Sequence, residues 1–285
     1  MHHWQTTRFS IDLSRPQIMG IVNVTPDSFS DGGQHASTTS ALRHAEQLVA
    51  EGAHILDIGG ESTRPGAPTV PPAEEWARIE GTLKGALALG VPVSVDTCKT
   101  EVMQRALDAG VDIVNDIRAL QAPGALDVVR DHGRCGVCLM HMQGEPDTMQ
   151  QAPVYDDVMD EVRHFLLSRL ATVRQAGVAD ARITLDPGIG FGKTPEHNLA
   201  LLRRQHELQD LGLPLLLGWS RKSTLGQLTG RPVGERLVAS VTAALAAVQH
   251  GARIVRVHDV GATADALKVW EAAGLLAAAQ NSVTI

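Results

Sequence analysis

The 285-residue chain is 44% hydrophobic and 20% charged, with a formal net charge of −7. That composition allows a large core to be buried, while the absence of any basic run argues against a nucleic-acid partner, because duplex binding rests on a positive footprint. No apolar stretch reaches the ~20 residues a bilayer demands, and no apolar signal-peptide run follows Met1-His2-His3-Trp4-Gln5, so a cytoplasmic protein without membrane contact is expected.

Residues 1–17 read as a short N-terminal segment. From there, β-branched or Leu-rich runs alternate with Ala-rich stretches whose apolar residues recur at helical spacing. The first strand is expected at Ile18–Val24; a polar, Gly-terminated loop leaves it, and a helix covers Ala41–Ala50. A strand at His54–Gly59 leads through Glu61-Ser62-Thr63-Arg64 to a helix at Glu75–Leu89. Next come a strand at Val91–Asp96 with a helix at Glu101–Ala109, then strands at Asp112–Asp116 and Gly136–His141, the second followed by a helix at Val158–Ala176. Strands at Arg182–Pro187, Leu213–Gly218 and Arg253–His258 complete the series, with helices at Asn198–Leu208, Glu235–His250 and Ala262–Ala273. Glycine follows several of these helices, as C-terminal caps favour.

Eight strand–helix repeats with continuously apolar strands predict a closed parallel (β/α)8 TIM barrel, a single domain over residues 18–285. Aromatic residues at only 3% disfavour an antiparallel sandwich. An open doubly wound sheet is the other use of such repeats, but no G-x-G-x-x-G opens the first unit. Three cysteines do not make a disulfide framework. Cys135 and Cys138 form a C-x-x-C suited to redox or metal chemistry, yet they lie in an apolar run that reads as a buried strand, and no second ligand pair has zinc spacing.

Nearly every strand ends in groups able to do chemistry: Asn23, the Glu61–Arg64 turn, Asp96, Asn115 with Asp116, His141, Asp186, Ser220-Arg221-Lys222, and Arg256 with His258. A lone Asp or Asn in such a place is ordinarily just a strand-ending polar residue. In a (β/α)8 barrel, however, all eight ends converge on one mouth, which makes the mouth the expected active site. Its longest element is Asn23-Val24-Thr25-Pro26-Asp27-Ser28-Phe29-Ser30-Asp31-Gly32-Gly33, expected as a rim loop. Asn23 and Asp31 offer hard oxygens suited to Mg²⁺, and Phe29, apolar in a polar loop, suits covering an aromatic substrate. A helix-capping turn accounts for Asp27 or Ser30 alone, not for the whole stretch.

Together with Asp57-Ile58-Gly59-Gly60-Glu61-Ser62-Thr63-Arg64-Pro65-Gly66, this loop resembles the paired signatures of the dihydropteroate synthase family of folate biosynthesis. The likeness continues in order through Val95-Asp96-Thr97, Val114-Asn115-Asp116, Leu139-Met140-His141-Met142, the Asp186–Lys193 and Gly218–Ser223 segments, and Arg256-Val257-His258-Asp259-Val260. It therefore spans essentially the whole chain. The resemblance implies a transferase that joins 6-hydroxymethyl-7,8-dihydropterin diphosphate to the amine of 4-aminobenzoate, forming 7,8-dihydropteroate and releasing diphosphate, and the Mg²⁺ read from Asn23 and Asp31 is its expected cofactor. It assigns the pterin to Asp96, Asn115, Asp186 and Lys222, whose donors and acceptors can pair with the ring edge, and packs Met140 and Phe191 against it. An ion pair between a buried Asp and Lys222 is the purely structural alternative.

Arg256 and His258 are alternate residues of the last strand and point the same way. With Asn23 they can grip the diphosphate through charge-assisted bonds, and Mg²⁺ on Asn23 and Asp31 would neutralise the leaving group. Asn23, Lys222, Arg256 and His258 are therefore the candidate catalytic residues. Ser220-Arg221-Lys222-Ser223 opens a helix whose backbone N–H groups can receive an anion. Ser223 is assigned to the 4-aminobenzoate carboxylate, Thr63, Arg64 and Pro65 to framing the aniline, and Phe29 to closing above it. Such chemistry needs positioning and exclusion of water rather than a covalent nucleophile.

Cys98, Thr100 and Trp219 depart from the family pattern and bear on pocket shape. Two other functions use the same scaffold: a pterin-binding methyltransferase domain, which does not need the rim loop or the Ser62–Pro65 turn, and a non-catalytic pterin-binding paralogue, in which loss of Asn23, Arg64, Lys222, Arg256 or His258 is expected. All five are present. Ala/Val/Leu-rich helices at Glu235–His250 and Ala262–Ala279 need cover beyond one face, consistent with the homodimer the resemblance implies.

Overall fold

The structure, a computed structural model, describes residues 3–24, 33–62 and 69–276. Eight parallel strands close into a barrel in the order β3 (Gln17–Asn23), β4 (Ile55–Gly59), β5 (Val93–Asp96), β6 (Ile113–Asp116), β7 (Gly136–Met140), β8 (Ile183–Asp186), β9 (Leu215–Leu217) and β10 (Ala252–Val257), with β10 returning to β3. The fold is the (β/α)8 barrel expected, with strand ends displaced by at most two residues from the sequence assignment.

Helices cover the outside: α1 (Gly33–Ala50), α2 (Pro72–Ala86), α3 (Thr100–Asp108), α4 (Ala125–His132), α5 (Val158–Gln175), α6 (Pro195–Arg204), α7 (Ser223–Thr229), α8 (Leu237–Gln249) and α9 (Val260–Ala272). In α5, Met159, Val162, Leu166, Leu170 and Val173 recur at three- and four-residue intervals and are all fully buried. Each such side chain contributes about 2 kcal/mol on leaving water. Asp157 caps this helix, its carboxylate accepting from the N–H groups of Met159 and Asp160 at 2.9 and 3.0 Å.

Beyond end shifts of up to three residues, as in α2, the helices differ from the sequence reading in three places. The first begins at Gly33, eight residues before Ala41, because Gly33–Ser40 carries no apolar periodicity while Ala41, Ala45 and Leu48 supply the buried anchor. The stretch read as one helix over Asn198–Leu208 is divided: Thr194 caps α6 in a capping box with His197, and a 3₁₀ turn takes over at Gln205–Leu211. Helix α4 has eight residues between the left-handed Gly124 and Gly133, too few to announce a period.

The N-terminal residues form an antiparallel hairpin, β1 (His3–Gln5) with β2 (Ser10–Asp12), at the end of the barrel opposite the mouth. Trp4, Ile11 and Leu13 pack with Met19, Ile55, Ile113, Cys138, Leu216 and Ile254 to fill the barrel floor. Trp4 Nε1 donates to the Arg182 carbonyl at 2.9 Å, and the Arg8 guanidinium grips Asp112 at the start of β6. Among the described residues this packing fills the floor, which makes the mouth the candidate entrance for ligands. Cys138 belongs to this inner layer, whereas Cys135 lies in the outer core between strands and helices; both are free thiols.

Candidate active site

Strand register brings the polar ends to one level. Asn23 pairs with Gly59, Gly59 with Asp96 and Asp96 with Asn115, while Met140 and Asp186 are neighbours across β7 and β8. Because alternate residues of a strand share a face, Asp57, two residues before Gly59, joins the same interior one level down.

Arg256 organises this cluster. Its Nε donates to Asp57 Oδ2 at 2.6 Å and its Nη2 to Asp96 Oδ2 at 2.6 Å, and Asn115 Nδ2 donates to the same Asp57 oxygen at 3.0 Å. Burial opposes the guanidinium charge, but Asp57 and Asp96 outweigh it and hold the Arg256 pKa above its ordinary value. Asp96 is pushed up to about 7 by burial, which the attraction of Arg256 only partly offsets. Asp57 is completely buried, and its Oδ1 has no hydrogen-bond partner among the described residues. Sequence reasoning gave Asp57 no role; its one signal is a carboxylate inside the otherwise apolar strand Ile-Leu-Asp-Ile-Gly.

Opposite this cluster, Asp186 ends β8 and accepts the Gly188 N–H at 2.7 Å. Burial lifts its carboxyl to about 6. Lys222 enters from the β9–α7 connection and places its ammonium 4.2 Å from the centroid of the Phe191 ring, a cation–π contact. Burial, with Arg256 nearby, lowers it to about 8. Among the described residues Asp186 and Lys222 form no direct ion pair, so the structural alternative for that pair is not what the site contains.

His258 follows β10 and meets Ser220: the His258 N–H donates to Ser220 Oγ at 3.1 Å, and Ser220 Oγ lies 3.0 Å from His258 Nδ1. Ser220 holds both the backbone and the ring of His258. Ser220 is thus a residue the sequence reading left without this function. Ser223 is exposed at the start of α7, Met140 is buried at the end of β7, and Asn23 is half-buried at the end of β3.

Phe29, Asp31, Thr63, Arg64 and Pro65 lie outside the described residues. The residues flanking 63–68 are described: Glu61 accepts the Val70 N–H at 2.7 Å, and Lys99 joins Glu61 at 2.8 Å and buried Glu75 at 2.5 Å. Trp219 is buried in the outer core, so its bulk is accommodated there. Cys98 is half-buried, its thiol pushed up to about 12 by burial and by Asp116. A cavity of about 770 Å³ beside His141, Tyr155, His164 and Phe165 contains none of the candidate substrate-binding residues.

The model of the pterin-binding enzyme family matches residues 19–258. Dihydropteroate synthase of Neisseria meningitidis serogroup B is 56% identical over 280 residues, covering 96% of this chain and 98% of that protein. Among solved structures, Xanthomonas albilineans dihydropteroate synthase with 4-aminobenzoic acid superposes with a TM-score of 0.91 at 48% identity, covering 96% of this chain and 98% of that one. Burkholderia cenocepacia dihydropteroate synthase complexed with 7,8-dihydropteroate gives 0.88 at 50% identity, covering 98% of each. The chain belongs to the pterin-binding enzymes and, within them, to the dihydropteroate synthase family.

Proposed function

We infer that this chain joins 6-hydroxymethyl-7,8-dihydropterin diphosphate to the amine of 4-aminobenzoate, forming 7,8-dihydropteroate and diphosphate. The observation that carries this is the convergence of Asp96, Asn115, Asp186, Lys222 and Arg256 on one mouth in a chain so similar to proteins of that activity. A pterin edge presents alternating donors and acceptors. Two carboxylates, an amide and an ammonium can meet both kinds, with Met140 and Phe191 as apolar walls.

The reaction breaks the bond from the pterin methylene carbon to the diphosphate oxygen and forms one from that carbon to the aniline nitrogen. Arg256 is held for this work by Asp57 and Asp96, so its remaining N–H groups can take phosphate oxygens without reorganising. His258, its ring held by Ser220, and Asn23 are the other diphosphate ligands proposed. Lys222 completes the positive side of the pterin pocket. Ser223 with Thr63, Arg64, Pro65 and Phe29 is proposed to hold 4-aminobenzoate. The aniline attacks as diphosphate departs, and its extra proton passes to the released diphosphate.

A Mg²⁺ ion fits this site as a partner of the diphosphate. Among the described residues no group of three or more His, Cys, Asp or Glu side chains could hold a metal. A thin donor set of Asn23, with Asp31, suits an ion that keeps several waters and takes phosphate oxygens. When bound, it would neutralise charge on the leaving diphosphate.

The partners proposed are thus the two small-molecule substrates and a second copy of the chain. The α7–α8 corner exposes Leu228, Val233, Leu237 and Val238, an apolar surface that supports a homodimer. No helix among the described residues is long and apolar enough to cross a membrane, and a cytoplasmic location suits such substrates.

The test is to incubate the protein with pterin diphosphate, 4-aminobenzoate and Mg²⁺, measuring dihydropteroate by mass and diphosphate release, beside Asn23→Ala and Lys222→Ala. Product that needs Mg²⁺ and is strongly reduced in both variants is expected. Pterin binding without product would show a binding module instead.

A further inference from the structure

Lys193 is 2% exposed, and the chemistry above makes no use of it. Its three N–H donors meet three acceptors: His141 Nδ1 at 2.9 Å, the Gly188 carbonyl at 3.0 Å and the Phe191 carbonyl at 3.0 Å. None of these is a carboxylate, and the adjacent Asp186 is turned to the Gly188 N–H instead. Burial pulls Lys193 down to about 7. A buried cation with neutral partners is not a device for stability.

The turn it ties together is the one that displays the pterin pocket. Gly188, Gly190 and Gly192 all have positive φ, at 70°, 81° and 62°. Gly188 and Gly192 press against the exit of β7: a Cβ on them would lie 1.8 Å from the His141 carbonyl oxygen and 2.3 Å from that of Gln143. Three glycines in eight residues make such a turn easy to form and hard to hold. His141 anchors it twice, its N–H donating to the Asp186 carbonyl at 2.9 Å and its ring accepting from Lys193. Burial and Lys193 keep that ring neutral, at about 2, so Nδ1 stays an acceptor; the ring is fixed edge-on to Phe165 at 4.9 Å.

Resting on the reading of the site given above, we propose that Lys193, anchored by His141, is a positioning residue: it holds the 186–193 turn in the shape that presents Asp186 and Phe191 to the pterin. It acts through the turn and does not touch the substrate. Phe191 is tied at its carbonyl and its ring carries Lys222, so slack in the turn passes directly to two pterin-binding groups.

The experiment compares Lys193→Met, His141→Leu and His141→Asn by calorimetry with pterin diphosphate, by thermal unfolding, and by KM for 4-aminobenzoate. Loss of bonds from a charged donor should weaken pterin binding about tenfold or more in Lys193→Met and in His141→Leu. Thermal stability should be unchanged or higher, and KM for 4-aminobenzoate should stay within about twofold. His141→Asn, whose Oδ1 reaches the place of Nδ1, should lose less than about threefold, and the Lys193→Met/His141→Leu double variant should be no worse than either single one. Unchanged pterin affinity in Lys193→Met overturns the proposal, as does equal damage from His141→Asn and His141→Leu, or a loss shared by both substrates in step with lost stability. Absence of dihydropteroate from the native protein would count against the reaction while the binding comparison still decides the role of Lys193; a native protein that binds no pterin overturns both.

Discussion

Arg256 Nε lies 2.6 Å from Asp57 Oδ2, a contact that joins residues 199 apart in sequence across the barrel mouth. The same oxygen accepts from Asn115, so one buried carboxylate orients both the guanidinium proposed for the diphosphate and the amide proposed for the pterin. Asp57→Asn removes the charge while its amide oxygen can still accept from Arg256 and Asn115. Arg256 then keeps Asp96 as its one charged partner there, and weakening a charged hydrogen bond costs about 1.5–3 kcal/mol. The variant should show kcat/KM for the pterin diphosphate lowered about 100-fold and a lower unfolding temperature, by steady-state kinetics and calorimetry. Native kinetics in Asp57→Asn would remove Asp57 from the mechanism.

Asp186 has a testable pH signature. Burial raises its folded-state pKa from an ordinary 3.8 to about 6, so folding disfavours the ionised form. Its contribution to stability is complete below about pH 4 and is lost as pH rises through 6. Asp186→Asn, neutral at all pH, should therefore be more stable than the native protein at pH 8, by roughly 1–3 kcal/mol, with the advantage gone near pH 4. Pterin binding should be lost in the same variant. Denaturant titrations at the two pH values check the sign; a variant less stable at pH 8 would show that ionised Asp186 is well solvated by its neighbours.

The barrel was legible because its repeat is coarse: eight apolar runs, each ending in polar residues, imply one mouth whatever the exact boundaries. Asp96, Asn115, Asp186 and Arg256 could be placed there because strand ends announce themselves. What sequence could not give is pairing across the barrel. Nothing local tells that Asp57 meets Arg256, that Ser220 orients His258, or that Lys193 reaches His141; these depend on register between distant strands. Short elements also escaped, as α4 did, because eight residues between glycines carry too little periodicity.

Gly188 sits where no side chain fits. Its φ is 70° and an added Cβ would fall 1.8 Å from the His141 carbonyl oxygen. Gly188→Ala should destabilise the protein by about 2–3 kcal/mol through strain and clash. It should also weaken pterin binding far more than Gly230→Ala, a glycine with φ 70° and nothing within 4 Å. Equal effects at the two positions would mean that backbone strain alone, and not the packing of the pterin turn, sets the outcome.

The apolar corner at Val238, which is 78% exposed, makes a prediction about assembly and site together. A charge placed there should prevent burial of the patch: the native protein should sediment at about twice 30.4 kDa and Val238→Glu as a monomer. The corner is wired to the substrate side of the barrel. Arg236, at the head of α8, donates to the Arg221 carbonyl at 3.0 Å, and Ser240 Oγ accepts the Arg221 N–H at 3.0 Å while donating to the Arg236 carbonyl at 2.6 Å. Arg221 itself holds a left-handed φ of 60° immediately before Lys222. Covering the corner should therefore steady the Ser220–Lys222 connection, so the monomeric variant is expected to keep its fold but lose about three- to tenfold in kcat/KM. A monomeric native protein would rule out the dimer, and a monomeric variant with full activity would uncouple assembly from the site.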